Sequence, residues 1–467
     1  MSTTTNRGAW QVPVGILAGM ELVIFGAALE LAVRLFQFFD TTAPIARTIG
    51  GSLPSVLMFL TVMCFAMAAM GLYNFRQVLT PAGMLVRIAV ATAGGTAVIA
   101  LLSRMVTDLY ISGEVLLIGA ALVMSASFAW HITLDRIARD NAVRHRVIVY
   151  GAGRRAVTLL RAPSRRDKRG FSIMGFIPSV GDDPTAEAGD QRIELRTSLH
   201  EYCRVNSISE IVVAMDDGRW GIPFNAFLEC RLAGVQVTEL TAFLERETGK
   251  VRVDLAHPSW TMFAGGFRQN SLQSRLERMF DICASLALLA LTWPVMLLTV
   301  LAIKLEDGLM APVLYRQVRV GERGQTFGLL KFRSMREDAE RDGARWAAAN
   351  DTRVTRVGRI IRKLRIDELP QILNVMSGQM SLVGPRPERP EFVLHLDRTI
   401  PFYCERHTIK PGITGWAQLC YPYGSDETDA AEKLQYDLFY VKNRTLLFYL
   451  AILLQTVEVV LCGKGAR

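Results

Sequence analysis

The sequence predicts a membrane protein of three parts: a domain of four transmembrane α-helices, a Rossmann-like α/β domain and a mainly α-helical third domain. Three observations support this fold class. Long apolar segments fill the first third of the chain, a glycine-rich turn follows a short β-branched strand near residue 150, and another apolar segment leads into a basic last third. We expect the domains at 1–140, 141–260 and 268–467.

The composition fits a membrane-associated protein with anionic partners. Half of the 467 residues are hydrophobic, the mean hydropathy is +0.23, and the net charge is +9. Such a chain suits anionic lipid headgroups, phosphorylated substrates or nucleic acid. The basic residues flank membrane segments and lack interleaved stacking aromatics, which argues against nucleic acid. The seven cysteines are scattered without CxxC spacing, which argues against a zinc site or a disulfide framework.

The apolar segments of the first third predict four transmembrane helices. They lie at 12–39, 53–72, 84–105 and 112–134. Each is close to the roughly 20 residues that a helix needs to cross a bilayer. A cleaved signal peptide would resemble the first segment, but three more follow it closely. Arginines precede the first segment, separate the second from the third and cluster after the fourth, so we expect the N-terminus and everything after Arg136 to be cytoplasmic.

A fifth apolar segment, at 282–303, has two interpretations. As a transmembrane span, it would place the rest of the chain outside the cell. In the other interpretation the helix is broken at Pro294, near its centre, because proline removes a backbone hydrogen bond and clashes with the preceding turn. Such a helix would enter one leaflet and return to the same face. The hydropathy of the segment does not decide between the two.

The middle of the chain predicts a parallel α/β domain. The segment RVIVYGAGRRA at 146–156 has the pattern of a strand, a GxGxxA turn and a helix start, and strand-like segments follow at 172–177, 208–214 and 235–240. The glycines would let a pyrophosphate approach the helix N-terminus. No acidic residue ends the second strand to bind a ribose hydroxyl. A fold that serves assembly or regulation is therefore the alternative to dinucleotide binding.

The last third contains a strongly basic region. From Lys331 to Arg365 there are eleven lysines and arginines against five acids, with Arg333 and Arg353 among the arginines. A solvated helix face would account for this, but the position beside a membrane segment also favours contact with lipid headgroups. The apolar residues of 357–364 share one stripe among arginines, which predicts an amphipathic helix at the membrane interface.

Two adjacent acids, Asp367 and Glu368, follow this region and precede the helical pattern LPQILNVM. In one explanation, Asp367 caps that helix and Glu368 lies in its first turn. In the other, they belong to a phosphate-transfer site, where one acid is the nucleophile and the other holds Mg²⁺. Arg386, fixed between two prolines, would then contact a phosphate. Asp437 would be a further metal or substrate ligand.

The order and spacing of several motifs resemble the bacterial sugar transferases, also called polyprenyl-phosphate hexose-1-phosphate transferases or monotopic phosphoglycosyl transferases. The resemblance covers about 273–467. The motifs are KFRSM at 331–335, DELPQ at 367–371, Asn374-Val375, SLVGPRP at 381–387, KPGITGWAQ at 410–418 and YDLFYVKN at 436–443. The upstream membrane and Rossmann-like domains resemble those of the large members, which start exopolysaccharide or O-antigen repeat units.

The resemblance implies a two-step reaction. Asp367 would attack the β-phosphate of a UDP-sugar and release UMP, and a polyprenyl (undecaprenyl) phosphate would then take the phosphosugar from the aspartyl group. Asp367 and Glu368 would help to bind Mg²⁺, and Asp437 would complete the metal site. The expected substrate-binding residues are Lys331, Arg333, Arg353, Gln371, Pro385, Arg386 and Pro387.

The resemblance also implies where the protein works. The membrane element of the family is a re-entrant helix, here at about 279–305 with its break at Pro294, in a monotopic catalytic domain. UDP-sugars are cytoplasmic, so the catalytic domain should face the cytoplasm at the bacterial inner membrane, which rejects a fifth span. The C-terminal segment at 421–467 resembles that of an exopolysaccharide-associated subgroup, which suggests UDP-glucose or UDP-galactose as the donor. A homodimer is plausible for the large members, although no heptad or patch shows it.

Two other functions fit parts of the pattern. A membrane-anchored nucleotide-sugar dehydratase or epimerase would combine four spans with a Rossmann domain. It needs a tyrosine with a lysine four residues later, and none of the eleven tyrosines has one. In a non-catalytic assembly scaffold, Asp367 and Glu368 would only cap a helix. Replacing Asp367 by asparagine separates an enzyme from a scaffold.

Overall fold

The chain forms two compact units, Met1–Thr248 and Gly249–Arg467. The computed structural model describes residues 14–39, 52–73, 81–138, 145–161, 171–183, 191–216, 223–255, 271–336, 353–421 and 426–461. The first unit contains apolar helices and a parallel α/β region, and the second contains a further apolar helix and a mainly helical region. The boundaries of the three predicted domains stay predictions.

Four apolar helices open the first unit, as predicted. They are α1 (Val14–Phe39), α2 (Ser52–Ala69), α3 (Pro81–Met105) and α4 (Gly113–Ala138). Among the described residues, α1, α3 and α4 are long and apolar enough to cross a membrane, and α2 is shorter. Phe25, Phe59, Met63 and Ile88 are fully buried between the helices, while Val23, Phe65 and Leu101 are exposed. Helices that are apolar on all sides are typical of a membrane bundle.

One carboxylate is buried inside this bundle. Glu21 of α1 is fully buried, and its Oε1 lies 2.8 Å from His131 Nε2 of α4. Its Oε2 accepts a hydrogen bond from the hydroxyl of Tyr73, which follows α2. These partners offset the cost of burying a polar group and tie three parts of the bundle together.

The α/β region is a parallel sheet of order β2-β1-β3-β4. Its strands are β1 (His145–Tyr150), β2 (Phe171–Ile177), β3 (Glu210–Val213) and β4 (Gln236–Glu239). The helices are α5 (Arg154–Arg161), α6 (Leu199–Val205), α7 (Phe224–Leu232) and α8 (Leu240–Thr248). Val147, Ile148, Val149, Ile211 and Val212 are fully buried, because parallel strands are covered on both faces. The predicted parallel α/β layout is confirmed, and its Rossmann-like assignment stays a prediction.

Carboxylates of the protein itself fill the glycine-rich turn after β1. Asp216, just past β3, accepts hydrogen bonds of 2.8 Å from each of the first two backbone N–H groups of α5. Asp182 accepts one from Ala152 N–H at 2.7 Å. A Cβ atom on Gly153 would lie 2.0 Å from Asp216 Oδ2, so glycine is required beneath that carboxylate. The amides that would bind a pyrophosphate therefore already have anionic partners.

The second unit is mainly helical, as predicted. Its helices are α9 (Ser271–Asp307), α10 (Arg356–Lys363), α11 (Gln371–Met376), α12 (Pro390–Thr399), α13 (Trp416–Cys420), α14 (Glu427–Lys442) and α15 (Leu446–Leu461). Strand β5 (Leu314–Val320) pairs antiparallel with β6 (Thr326–Phe332), and β7 (Ser381–Val383) pairs parallel with β8 (Gly412–Thr414). Val375, Met380, Tyr440, Tyr449 and Ile452 lie in its core.

The long apolar helix α9 contacts the rest of the second unit on both sides of Pro294 and is exposed between these contacts. Before Pro294, Asp281 accepts a hydrogen bond of 2.8 Å from a backbone N–H of β7. After it, Glu306 accepts bonds of 2.8 and 2.9 Å from the first turn of α10. Leu291, between them, is 76% exposed. The helix continues through Pro294 and does not end there, as the predicted break would require. The return of the helix to the same membrane face stays a prediction.

Candidate active site

The two adjacent acids lie in a short 3₁₀ turn between α10 and α11. Arg365 leads into this turn with φ 55° and ψ 20°, a left-handed conformation that is uncommon for residues other than glycine. The prediction that Asp367 begins the next helix is wrong. That helix begins after Pro370 and has no side-chain cap, because the fixed φ of proline already suits a helix start. Both Asp367 and Glu368 are therefore available for other contacts.

Glu368 is held by three cationic side chains. Arg386 donates a hydrogen bond of 2.8 Å from Nη2 to Oε1 of Glu368, and Lys331 Nζ lies 3.8 Å from the same oxygen. Arg365 Nη1 lies 3.7 Å from Oε2. Burial raises the pKa of Glu368, but Arg386, Lys331 and Arg365 outweigh burial and lower this pKa to about 2. Glu368 is therefore ionised at neutral pH and fixed in place.

Asp367 has a different environment. Within the ranges that the structure describes, no group lies at hydrogen-bond or ion-pair distance from its carboxylate. Burial, helped by the negative charge of Glu368, raises the pKa of Asp367 to about 6, while Lys331, Arg362 and Arg386 oppose the rise. A more basic carboxylate is a stronger nucleophile once it is ionised. One acid of the pair is thus anchored and the other is available to react.

Lys331, next to the last residue of β6, is a cation with a depressed pKa. Burial is the main cause, and Arg386 and Arg319 add to it, while Glu368 opposes it; together they lower the pKa of Lys331 to about 8. Its ammonium group is therefore charged at pH 7 and loses its charge at mildly alkaline pH. Its Nζ lies beside Glu368, and its predicted role in substrate binding stays a prediction.

The segment from Pro385 to Pro387 supplies Arg386 and is held by its carbonyl groups. The two prolines have no backbone N–H, so the position of this segment depends largely on hydrogen bonds to its carbonyls. Four successive carbonyls, from Pro385 to Glu388, each accept one hydrogen bond. The donors, in chain order of the carbonyls, are Gly412 N–H at 3.0 Å, Arg406 Nη2 at 3.0 Å, Arg319 Nη1 at 3.0 Å and Val320 N–H at 2.9 Å.

The SLVGPRP and KPGITGWAQ motifs pack directly on each other. Gly384 N–H donates to the Thr414 carbonyl at 2.8 Å. A Cβ atom on Gly384 would lie 2.4 Å from the Lys410 carbonyl oxygen, and one on Gly412 would lie 2.0 Å from the Gly384 nitrogen. The backbones touch, so both positions require glycine. The glycine turn of the KPGITGWAQ motif therefore lies directly against the segment that carries Arg386.

Three other predicted binding residues make contacts within the fold. Arg333 Nε lies 4.0 Å from Asp307 Oδ2 at the end of α9, and Nε donates to the Met335 carbonyl at 3.3 Å. The backbone carbonyl of Arg353 accepts a hydrogen bond of 3.0 Å. Gln371 is buried at the start of α11. Their roles toward a substrate stay predictions.

The predicted metal ligands do not gather in one cluster. Asp437 of α14 is 2% exposed, and its Oδ2 accepts a hydrogen bond of 2.7 Å from Arg406 Nη2. Among the described residues there is no group of three or more histidine, cysteine or acidic side chains that could hold a metal. Asp367 and Glu368 nevertheless suit Mg²⁺, which commonly takes one or two carboxylates together with waters and substrate phosphates.

Four arginines of the site were not singled out from the sequence: Arg319, Arg362, Arg365 and Arg406. Two of them lie in the basic region, and the spacing of three residues from Arg365 to Glu368 could have indicated a pair. Arg319 and Arg406 reach the Arg386 segment from β5 and from the turn at 403–408. Nothing in their local sequence indicates this contact.

Comparison with known proteins agrees with the motifs. The profile of the family described as bacterial sugar transferase matches residues 272–463. The chain is 43% identical over 238 residues to the UDP-N-acetylgalactosamine-undecaprenyl-phosphate N-acetylgalactosaminephosphotransferase of Aeromonas hydrophila, over 51% of this chain and 55% of that protein. It is 42% identical over 196 residues to an uncharacterized sugar transferase of Bacillus subtilis, over 41% of this chain and 90% of that protein.

The name of a third relative contains glucose, whereas that of the Aeromonas protein contains N-acetylgalactosamine. The chain is 41% identical over 188 residues to the UDP-glucose:undecaprenyl-phosphate glucose-1-phosphate transferase of Xanthomonas campestris, over 40% of this chain and 38% of that protein. The matches thus span about half of the Aeromonas protein, less than half of the Xanthomonas protein and nearly all of the Bacillus protein.

Proposed function

Since this chain belongs to the bacterial sugar transferase family, we propose that it transfers a hexose-1-phosphate from a UDP-sugar to undecaprenyl phosphate. Such a transfer would start a repeat unit of an exopolysaccharide. The names of the Aeromonas and Xanthomonas relatives describe transfers of this type to undecaprenyl phosphate. The protein would thus be a phosphotransferase that works at the membrane surface.

The difference between the two adjacent acids is the observation that best supports this function. Glu368 has three cationic neighbours, whereas Asp367 has no hydrogen-bond or ion-pair partner within the described part of the chain. Two acids that only stabilised the fold would both be expected to have partners. A nucleophile needs an unoccupied lone pair, so Asp367 suits attack and Glu368 suits positioning.

The proposed chemistry consists of two substitutions at one phosphorus atom. A carboxylate oxygen of Asp367 bonds to the β-phosphorus of the UDP-sugar, and the bond from that phosphorus to the bridging oxygen breaks with UMP as the leaving group. A phosphate oxygen of undecaprenyl phosphate then bonds to the same phosphorus, and the aspartyl carboxylate is released. Negative charge gathers around the phosphorus in both steps, and Lys331 and Arg386 lie beside the acids to offset it.

Mg²⁺ is the proposed cofactor, and Asp367 and Glu368 would hold it. When bound, it would offset the charge of the diphosphate and the leaving UMP. The three cations around Glu368 already compensate its charge. We therefore expect the metal to bind well only together with the diphosphate of the substrate.

The proposed location is the cytoplasmic face of the bacterial inner membrane. Asp281 and Glu306 bind the same folded unit on either side of Pro294. A transmembrane α9 would place these two contacts on opposite sides of a hydrocarbon core about 30 Å thick. The contacts therefore support a helix that stays on one side, which keeps Asp367 on the side where UDP-sugars occur.

The identity of the sugar follows from none of these contacts. The names of the relatives divide between N-acetylgalactosamine and glucose. UDP-glucose or UDP-galactose remains our expected donor, and UDP-N-acetylgalactosamine is a necessary third member of the test. A homodimer also stays a prediction.

The test is an assay of the full-length protein in lipid nanodiscs with undecaprenyl phosphate, Mg²⁺ and each of the three donors. We expect UMP release with at least one donor and its loss in Asp367→Asn. Without the lipid acceptor, the wild-type protein should carry a phosphosugar on Asp367, which a mass shift of its peptide would reveal. Asp397→Asn, at an exposed acid of α12, is the matched control. Full turnover by Asp367→Asn would contradict the proposed nucleophile.

A further inference from the structure

We propose that Arg406 and Asp437 form a pair that positions the main chain of Arg386, and that Asp437 serves this pair rather than a metal ion. The inference rests on the proposed function, because it assigns both residues a task in the same transfer reaction. In this proposal both residues act through the backbone of Arg386 and not on the substrate, so both are positioning residues.

The pair is buried and closely bonded. The side chains of Arg406 and Asp437 are 6% and 3% exposed, and Nη2 donates to Oδ2 at 2.7 Å. The other terminal nitrogen of Arg406, Nη1, donates to the Tyr403 hydroxyl at 2.7 Å. A buried guanidinium needs a counter-ion, and Asp437 supplies it at hydrogen-bond distance. The orientation of the guanidinium is therefore fixed from two sides.

The same guanidinium reaches the active-site segment. Besides its bond to Asp437, Nη2 of Arg406 donates to the backbone carbonyl of Arg386 at 3.0 Å. Arg386 lies between two prolines that lack N–H groups, so the position of its backbone depends on the carbonyls. The side chain of Arg386 donates to Glu368 at 2.8 Å. Asp437, Arg406, Arg386 and Glu368 thus form one chain of contacts that ends beside the reactive acid.

The geometry disfavours a metal at Asp437. If its carboxylate bound a cation, Arg406 would lose its counter-ion while staying buried, which is costly. Besides Arg406, the charged groups with the largest effects on Asp437 are Glu388 and Lys433. Among the described residues, Asp437 forms no group with Asp367 and Glu368 that could hold a metal ion. Asp437 therefore already has a structural partner in Arg406.

The first experiment tests whether Arg406 acts through Arg386. Arg406→Gln should lower kcat roughly 10- to 100-fold, the range for groups that orient an active-site residue. In an Arg386→Ala background, the same substitution should change kcat by less than about twofold, because the segment no longer carries a side chain to position. Equal losses in both backgrounds would overturn the proposal.

Two further variants serve as controls for this measurement. Arg398→Gln, at an exposed arginine of α12, is the matched control and should leave kcat unchanged. Arg406→Lys keeps the buried positive charge beside Asp437 but lacks the planar fork that reaches all three acceptors. If Arg406→Gln fails to fold, Arg406→Lys takes its place, and it should show the same dependence on Arg386.

The second experiment tests the metal directly. Mn²⁺ replaces Mg²⁺ as the probe, and its binding to the full-length protein with UDP is measured by electron paramagnetic resonance. Asp437→Asn should bind Mn²⁺ as the wild-type protein does, while Glu368→Gln should bind it more weakly. Clearly weaker binding by Asp437→Asn would overturn the proposal. If the wild-type protein releases UMP and the kcat losses are additive, this inference alone fails; if no donor yields UMP, the proposed function fails.

Discussion

Arg386 and Glu368 are joined by a hydrogen bond of 2.8 Å from Nη2 to Oε1, across 18 residues of sequence. The bond connects the SLVGPRP motif with the DELPQ motif. The backbone of Arg386 is held by carbonyl contacts, so its side chain is a fixed point from which Glu368 is oriented. Asp367, the neighbour of Glu368, keeps its carboxylate free of such contacts within the described chain.

Arg386→Lys should lower the rate of UMP release although the charge is conserved. Lysine is a point charge without the planar fork, so it cannot hold Glu368 and offset a phosphate in the same geometry. We expect kcat to fall roughly 100-fold, as for the loss of one donor that stabilises a transition state. Steady-state kinetics at saturating donor would show this, and Arg398→Lys is the control. Retention of most of the activity would contradict the role given to Arg386.

A plot of the transfer rate against pH should have an acid limb and an alkaline limb. Asp367 acts as an anion with a pKa of about 6, so the rate should fall as the pH drops through 6. Lys331 acts as a cation with a pKa of about 8, so the rate should fall again as the pH rises through 8. A profile of kcat/KM against pH reports these groups in the free enzyme.

Lys331→Arg separates the two limbs. Arginine stays protonated throughout this range, so the alkaline limb should disappear while the acid limb stays near pH 6. An alkaline limb that persists unchanged in Lys331→Arg would assign it to another group.

Asp216→Asn should loosen the start of α5. Both oxygens of Asp216 accept backbone N–H bonds there, and an amide can replace only one of them. We expect the free energy of unfolding to fall by about 1.5–3 kcal/mol, the range for hydrogen bonds to a charged group. Hydrogen exchange should become faster at the backbone amides of Arg154–Arg161. Glu201→Gln, which removes only an exposed ion pair with Arg204, is the control.

The glycine-rich turn should also fail to bind NAD⁺ in the wild-type protein, because its amides are already bonded to carboxylates. Calorimetric titration of the full-length protein would check this. Micromolar binding of NAD⁺ would show that Asp216 yields its place to a pyrophosphate.

Both ends of α9 should be accessible from the same side of the membrane. Cysteines introduced at Leu272 and Leu309, which are 63% and 81% exposed, would be labelled with an impermeant maleimide in a background without other cysteines. We expect both to react in inside-out vesicles and neither in intact spheroplasts. Tyr110→Cys, between α3 and α4, should show the opposite pattern. Labelling of Leu309→Cys in spheroplasts would mean that α9 crosses the membrane.

The local sequence was sufficient to predict some elements of the fold and insufficient to predict others. The four apolar helices and the parallel strands were predicted because hydrophobic length and β-branched runs are properties of a short segment. The start of α11 was predicted too early, at Asp367, because an aspartate before a helical pattern commonly caps it. Here a 3₁₀ turn precedes Pro370, so the cap is unused.

By itself, the sequence determined the classes of domain, the family resemblance and the position of Asp367 and Glu368 directly after a basic region, all of which depend on residue types at short or motif-defined spacings. Only the tertiary structure decided that Glu368 is anchored while Asp367 is not, that Asp216 fills the glycine turn, and that Asp437 is bonded to Arg406. The physical reason is that hydrogen bonds and pKa values depend on distances of a few ångströms between residues far apart in the chain.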